Sequence, residues 1–386
     1  MISRDRLDAA TADLEPPFAV VDLDAFEHNA DALVKRADKV PLRVASKSIR
    51  CRAMVETALQ RREFFGVMAY SLAEAVWLAD LGVDDILVGY PTADRAALRD
   101  LAASEARAAA ITLMVDSSDH LDLVNDAAGA ARPDLRVCID IDASLRVFGA
   151  HLGVRRSPLR TPADAERLAA EVAKRSGFRL TGVMFYEAQI AGLPDTSAAV
   201  RLVKSRSAAE LAARRTRVVD AVRRIAPLDL VNGGGTGSLE VTTADPVVTE
   251  VTAGSGLFGP ALFDRYRAFR PQPAALFALP VTRRPAARIA TLFGGGYPAS
   301  GPAGRSRLPV PTLPGGLRML RGEGAGEVQT PVAGTAARDL RVGDRVWLRH
   351  AKSGELCERF DTLHLVRGDR IERSVPTYRG EGKAFG

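Results

Sequence analysis

The chain has 386 residues, of which 47% are hydrophobic and 26% charged, a balance that suits a globular fold and excludes fibres and extended disorder. At this length two or three domains are expected, because single cores seldom grow beyond about 250–300 residues. The net charge of +6 is spread without a basic patch, and no run nears the ~20 apolar residues of a membrane helix, so neither nucleic acid nor membrane is an expected partner.

The first residues, Met1 to Asp5, lead into no apolar run, so no secretory signal is expected. Three widely spaced cysteines, Cys51, Cys138 and Cys357, fit a reducing cytoplasm without disulfides. A strand-like run, Phe18-Ala19-Val20-Val21, can join either of the two regions that follow. Eight short apolar runs then alternate with amphipathic stretches: Leu42–Ser46, Phe64–Met68, Asp85–Gly89, Ile111–Val115, Leu135–Ile139, Leu180–Met184, Leu228–Asn232 and Val247–Val251. They are rich in β-branched and large aliphatic side chains, as buried parallel strands are. Between them, stretches such as 71–81 and 196–225 place apolar residues at the three- and four-residue spacing of helices, and Ser71 with Glu74 predicts a capping box. Eight strands alternating with helices predict an α/β fold, a (β/α)8 TIM-like barrel over residues 18–265. The alternative, a doubly wound open sheet, more often uses five or six strands.

Beyond residue 265 proline and glycine become frequent and helical periodicity disappears. Alternating runs at 276–282, 287–293, 327–332, 345–350 and 363–366 predict a smaller C-terminal all-β domain over 266–386, which residues 1–17 can join.

A barrel carries its chemistry at the C-terminal ends of its strands, and that rule filters the candidates. Of 53 basic residues only seven are lysines, and Lys47 alone ends a barrel strand, in Val44-Ala45-Ser46-Lys47-Ser48. An amine partly desolvated at a barrel mouth is a nucleophile for an aldehyde, while the plainer reading is a surface lysine. The seventh strand runs into Asn232-Gly233-Gly234-Gly235-Thr236-Gly237 and the eighth into Ala253-Gly254-Ser255-Gly256. Either turn alone can be merely structural. Together, after the last two strands, they suggest a phosphate cradle of bare backbone N–H groups and hydroxyls from Gly234, Gly235, Thr236, Gly254, Ser255 and Gly256. A lysine and a phosphate cradle on one barrel point to an aldehyde cofactor bearing a phosphate, pyridoxal 5′-phosphate.

Further motifs stand in order along the chain: Pro17-Phe18-Ala19-Val20-Val21-Asp22-Leu23-Asp24 ahead of Lys47, Asp140-Ile141-Asp142 with Arg146 four residues on, and Gly182-Val183-Met184-Phe185-Tyr186-Glu187. With the two glycine turns, their order and spacing resemble the fold-type III pyridoxal-phosphate enzymes of the alanine racemase superfamily, most closely the D-threonine aldolase and D-serine dehydratase branch. The resemblance implies that Lys47 is the Schiff-base lysine, that Arg146 approaches the cofactor's 3-hydroxyl, and that Tyr186 lies on a cofactor-binding strand end. The plainer reading of Tyr186 and Glu187 is a packed tyrosine beside a solvated glutamate. It also implies a homodimer in which one subunit's barrel and the partner's β domain build the site, which would give Tyr297 access to it.

Two departures matter. Racemases of the superfamily carry an arginine against the pyridine nitrogen where this chain has Thr252, which fits the aldolase and dehydratase branch better. That branch also holds a divalent metal through a histidine and, two residues on, a cysteine or aspartate. His350 matches the histidine, but Lys352 is no usual ligand, so the metal stays open, with Glu355, Cys357 or Glu358 as substitutes. The resemblance thus implies a cytoplasmic pyridoxal-phosphate-dependent lyase for small β-hydroxy amino acids of D configuration, with Lys47 and His350 as its catalytic residues. The alternatives are an amino-acid racemase, a transferase or carboligase, and a non-catalytic pyridoxal-phosphate-binding protein.

Overall fold

The computed structural model describes residues 2–129 and 131–386. The chain divides into two compact units, one of residues 1–32, 48–57 and 255–384, the other of residues 33–47, 58–254 and 385–386. Strand β1 (Phe18–Asp22) belongs to the first. In the second, β2 (Leu42–Ala45), β3 (Phe64–Ala69), β4 (Ile86–Val88), β5 (Ile111–Val115), β6 (Leu135–Ile141), β9 (Phe178–Phe185), β10 (Leu230–Gly233) and β11 (Glu250–Ala253) close an eight-stranded parallel barrel, while β7 (Leu145–Val147) and β8 (Ala150–Leu152) form a separate hairpin. The (β/α)8 reading of the sequence is correct.

Side chains alternate along each strand, so the register fixes which residues face the barrel interior. Met68 pairs with Leu87, Met114 with Cys138, and Leu230 with Gly182. Leu87, Met114, Cys138, Met184 and Leu230 accordingly make one buried cluster. Gly182 carries no side chain in this layer because a Cβ there would collide with Leu230. Two residues beyond Cys138 on the same face comes Asp140, which alternation therefore also turns inward. Next to this apolar layer lies a buried ion pair: Arg43 Nε and Nη2 each donate to Glu250 at 2.8 Å, and Nη1 reaches Asp85 at 3.0 Å. Gly66, at φ +58°, makes room for that guanidinium, since a Cβ would stand 2.6 Å from Arg43 Nη1.

The capping signal at Ser71 is partly as expected. Ser71 Oγ accepts from Glu74 N at 3.2 Å, but the Glu74 carboxylate turns back to Tyr70 N, at 2.7 Å, rather than to the cap residue. The long helix expected over 196–225 runs from Ala198 to Arg223.

The other unit is a nine-stranded sheet of β1, β12 (Ala275–Ala286), β13 (Ile289–Phe293), β14 (Val310–Leu313), β15 (Arg318–Met319), β16 (Gln329–Ala333), β17 (Arg345–Arg349), β18 (Thr362–Arg367) and β19 (Arg370–Pro376). The N-terminal strand β1 settles here, antiparallel to β12 and parallel to β18. Its Phe18 and Val20 pack with Leu7, Leu276, Ala278, Trp347 and Val366, and Trp347 Nε1 donates to Asp8 at 2.8 Å.

Candidate active site

At the C-terminal end of β2 the chain makes one 3-10 turn, Ser46–Ser48, tied to the next strand by Ser46 Oγ donating to Met68 O at 3.0 Å. This turn presents Lys47. Its Nζ donates to the phenol of Tyr90, which follows β4, and lies 5.1 Å from that ring's centroid. The guanidinium of Arg156 lies over two rings, 5.4 Å from that of Tyr90 and 5.2 Å from that of Tyr186. Burial acts to raise the Tyr90 phenol, but the charges of Lys47 and Arg156 and their hydrogen bonds outweigh it and hold the phenol below its ordinary range. At Tyr186 burial wins and pushes the phenol up, against the pull of the same two cations.

Asp140 stands at the mouth with 7% of its surface exposed, and the backbone N–H of Ile141 donates to its carboxylate. Burial, the neighbouring Asp116 and Asp142 carry its pKa up to about 7, with Arg156 opposing. Burial also raises Asp116, whose Oδ1 lies 3.3 Å from His120 Nδ1. Asp142 shows the reverse outcome. Burial would raise it, but donors from Ser144 and the guanidinium of Arg146 hold it below its usual range.

The glycine turn after β10 is braced from beneath by Glu187, only 1% exposed. One carboxylate oxygen accepts from Gly234 N at 3.2 Å, and the other accepts from Ser238 Oγ at 3.2 Å and from Thr242 Oγ1. Glu187 is therefore a buried brace and not a solvated neighbour of Tyr186. One amide expected to be bare, that of Gly234, has a partner. Gly234 sits at φ +86°, where L side chains are strained. A Cβ on Gly235 would stand 3.1 Å from Ala191 Cβ and 3.6 Å from the Tyr186 ring, so this strip of backbone is open only because it is glycine. Thr236 is buried, and its carbonyl accepts from Arg36 Nη2 at 2.7 Å.

The remaining candidates lie as follows. Arg146 is half-exposed on β7 and rests on Asp142 at 2.8 Å. Gly254 ends the barrel unit, and Ser255 and Gly256 open the short helix Ser255–Phe258 of the other. Buried Thr252 accepts from Asn232 Nδ2 at 2.8 Å, a neutral hydroxyl on the last barrel strand. The structure thus brings Lys47, Tyr186 and Gly235 into one chain of contacts through Tyr90 and Arg156. Neither of those two links was singled out from the sequence. Tyr90 ends a barrel strand and so meets the filter that found Lys47, whereas Arg156 lies in a loop with no local signal.

In the β unit His350 is 3% exposed, and burial pushes its imidazole below the usual range. Nδ1 faces the carbonyl of Lys352 and Nε2 that of Tyr297, at 3.2 Å. Glu355 accepts from Ser300 N at 2.7 Å, Glu358 pairs with Arg50 at 2.7 Å, and the Cys357 thiol is fully buried and raised. A metal needs lone pairs converging on one point, and among the described residues no group of three or more His, Cys, Asp or Glu offers that. These residues do not fit a divalent cation. Pyridoxal phosphate does fit: an amine is presented at the mouth for its aldehyde, and a glycine strip that side chains would fill is left clear for its phosphate.

Comparison with known proteins agrees. A D-threonine aldolase from Arthrobacter sp. is 29% identical over 251 residues, which are 64% of this chain and 62% of that protein, so this chain matches less than two thirds of that relative's length. The crystal structure of D-threonine aldolase from Filomicrobium marinum superposes with a TM-score of 0.80 at 23% identity, covering 96% of each chain. D-threo-3-hydroxyaspartate dehydratase from Delftia sp. does so with a TM-score of 0.74 at 20% identity, covering 95% of this chain and 98% of that one. Residues 21–261, more than half of the 386, match the family described as alanine racemase, N-terminal domain, and the chain belongs to that family.

Proposed function

We propose that this protein is a pyridoxal-phosphate-dependent lyase that cleaves or dehydrates small β-hydroxy amino acids of D configuration. The observation that carries the reading is the amine of Lys47, presented at the end of β2 against the Tyr90 phenol. Bound pyridoxal phosphate supplies an aldehyde that an amine can join and a ring that accepts electrons released at Cα. Lys47 would hold the cofactor through its amine, and the same amine would be placed to hold or move a proton at the substrate's Cα. Gly234, Gly235 and Thr236, with Gly254, Ser255 and Gly256 after the next strand, receive the phosphate. Tyr186 walls the cofactor beside Gly235, and Arg146 serves its 3-hydroxyl. His350 is the proposed base for the β-hydroxyl, a role supported by the resemblance alone.

The neutral Thr252 speaks for the lyase over a racemase, since no cation occupies that position to oppose protonation of the ring nitrogen. A cytoplasmic homodimer belongs to the same reading, and the three buried free cysteines support a reducing compartment. The test is to give the holoenzyme D-threonine, D-serine, D-threo-3-hydroxyaspartate and D-alanine side by side. An aldehyde with glycine, or a keto acid with ammonia, is expected from the hydroxy amino acids. Dominant racemisation of D-alanine would overturn the reading.

A further inference from the structure

Arg156 is placed unlike four arginines of the same unit that rest on carboxylates. Arg146 sits on Asp142, Arg214 on Glu210, Arg215 on Asp245, and Arg160 on Asp142 and Glu210. Among the described residues no carboxylate lies within ion-pair distance of Arg156, although its charge is felt at Asp140. Its guanidinium is instead held by the rings of Tyr90 and Tyr186 and by a hydrogen bond with the Tyr90 hydroxyl. The loop that carries it is fixed on both sides. Ser157 Oγ donates to Asp140 O at 2.7 Å, Asp142 N donates to Leu159 O at 2.7 Å, and a Cβ on Gly153 would stand 2.8 Å from Ser144 Cβ.

Part of this guanidinium's edge hydrogen-bonds the Tyr90 hydroxyl, and the N–H groups that remain suit a planar anion, since a carboxylate accepts two parallel hydrogen bonds from such an edge. The same Tyr90 ring has Lys47 Nζ 5.1 Å and Arg156 Cζ 5.4 Å from its centroid. An α-amino acid carries its amine and its carboxylate on one carbon, so an amine exchanging with that of Lys47 brings its carboxylate toward Arg156. The groups that meet Arg156 are the rings of Tyr90 and Tyr186 and the charge of Asp140, on which Asp116 and Asp142 act in turn. Of these Asp140 is the competitor for the guanidinium, and with a pKa near 7 it is largely protonated in mildly acidic solution.

We propose that Arg156 is the receptor for the substrate's α-carboxylate and so restricts the enzyme to amino acids over amines. This rests on the lyase reading above. The test is calorimetric binding of D-alanine, which has no β-hydroxyl to react, and of its amino alcohol, D-alaninol, to the holoenzyme. The wild type should prefer D-alanine. Arg156→Gln should weaken D-alanine roughly 10- to 100-fold while leaving D-alaninol unchanged, as for loss of charge-assisted hydrogen bonds, and Arg156→Lys should lose less. Cofactor content, read from absorbance after dialysis, should be equal in all three proteins. Equal weakening of both ligands, or loss of cofactor with the ligand preference intact, would overturn the assignment. If the wild type bound neither ligand, the lyase reading would fall with it, whereas a wild-type preference for D-alanine that survives in Arg156→Gln would sink only this proposal.

Discussion

At the scale of residues, the barrel mouth is a set of charges that modify one another. Lys47 and Arg156 flank Tyr90 and hold its phenol down, while burial and the neighbouring Asp116 drive Asp140 up to about 7. Asp140 has a consequence for stability. A carboxyl whose pKa is higher in the folded than in the unfolded chain contributes stability that is fully present below the unfolded value, about 3.9, and is lost as pH rises through the folded value. Wild-type stability should therefore fall between pH 4 and pH 7 through this group. Asp140→Asn cannot ionise and should escape that part of the loss, gaining roughly 1–4 kcal/mol on the wild type between pH 5 and pH 8. Unfolding midpoints at a series of pH values check this, and a constant gap between the two proteins would contradict it. Lys47 was legible in the sequence because lysines are few and a strand end is an unusual place for one. Arg156 was not, because its value comes from two rings that only the closed barrel brings beneath it.

At the scale of elements, the turn after β10 joins sequence to chemistry most directly. Its glycines were readable as a phosphate loop, but the brace beneath them was not. Glu187 lies at the end of β9, and only the parallel pairing of β9 with β10 brings it under Gly234. Gly234→Ala forces a side chain into the left-handed region, at a cost of about 1–2 kcal/mol in stability. It should also release pyridoxal phosphate more readily on dialysis, as followed by cofactor absorbance. Wild-type retention together with an unchanged unfolding midpoint would remove this turn from the cofactor site. The last barrel strand shows where hydrophobic pattern misleads. The apolar run predicts a strand over 247–251, yet β11 spans Glu250–Ala253. Val248 N closes a turn onto Asp245 O, and the strand starts instead at Glu250, a charge that a pattern reading assigns to solvent but that Arg43 holds inside the barrel. Similarly β19, Arg-Ile-Glu-Arg-Ser-Val-Pro, carries too much charge to read as a strand, and it sits at the sheet's edge, where charge is tolerated and discourages further pairing.

At the scale of the whole molecule, the chain combines a parallel barrel with a β sheet whose first strand comes from the N-terminus, and family membership agrees with the barrel. Eight strands were visible in the sequence because each is a short buried run, whereas the home of β1 was not, since its apolar pattern fits either unit. The resemblance left the metal open, and among the described residues no group of three or more His, Cys, Asp or Glu gathers to hold one. Lys352 stands where the resemblance implies a ligand, and the residues around His350 are engaged elsewhere. Activity should accordingly survive exhaustive chelation, while His350→Ala should lower it about 100-fold, as for removal of an acid–base group. Inactivation by chelation would mean that a donor set is completed in some other way, and unchanged activity of the variant would take His350 out of the reaction. The central claim is that Lys47 carries the cofactor. Borohydride reduction of the holoenzyme followed by peptide mass mapping tests it directly: the account predicts a stable pyridoxyl-phosphate adduct on Lys47 and on none of the other six lysines, and an adduct elsewhere, or none, would contradict it.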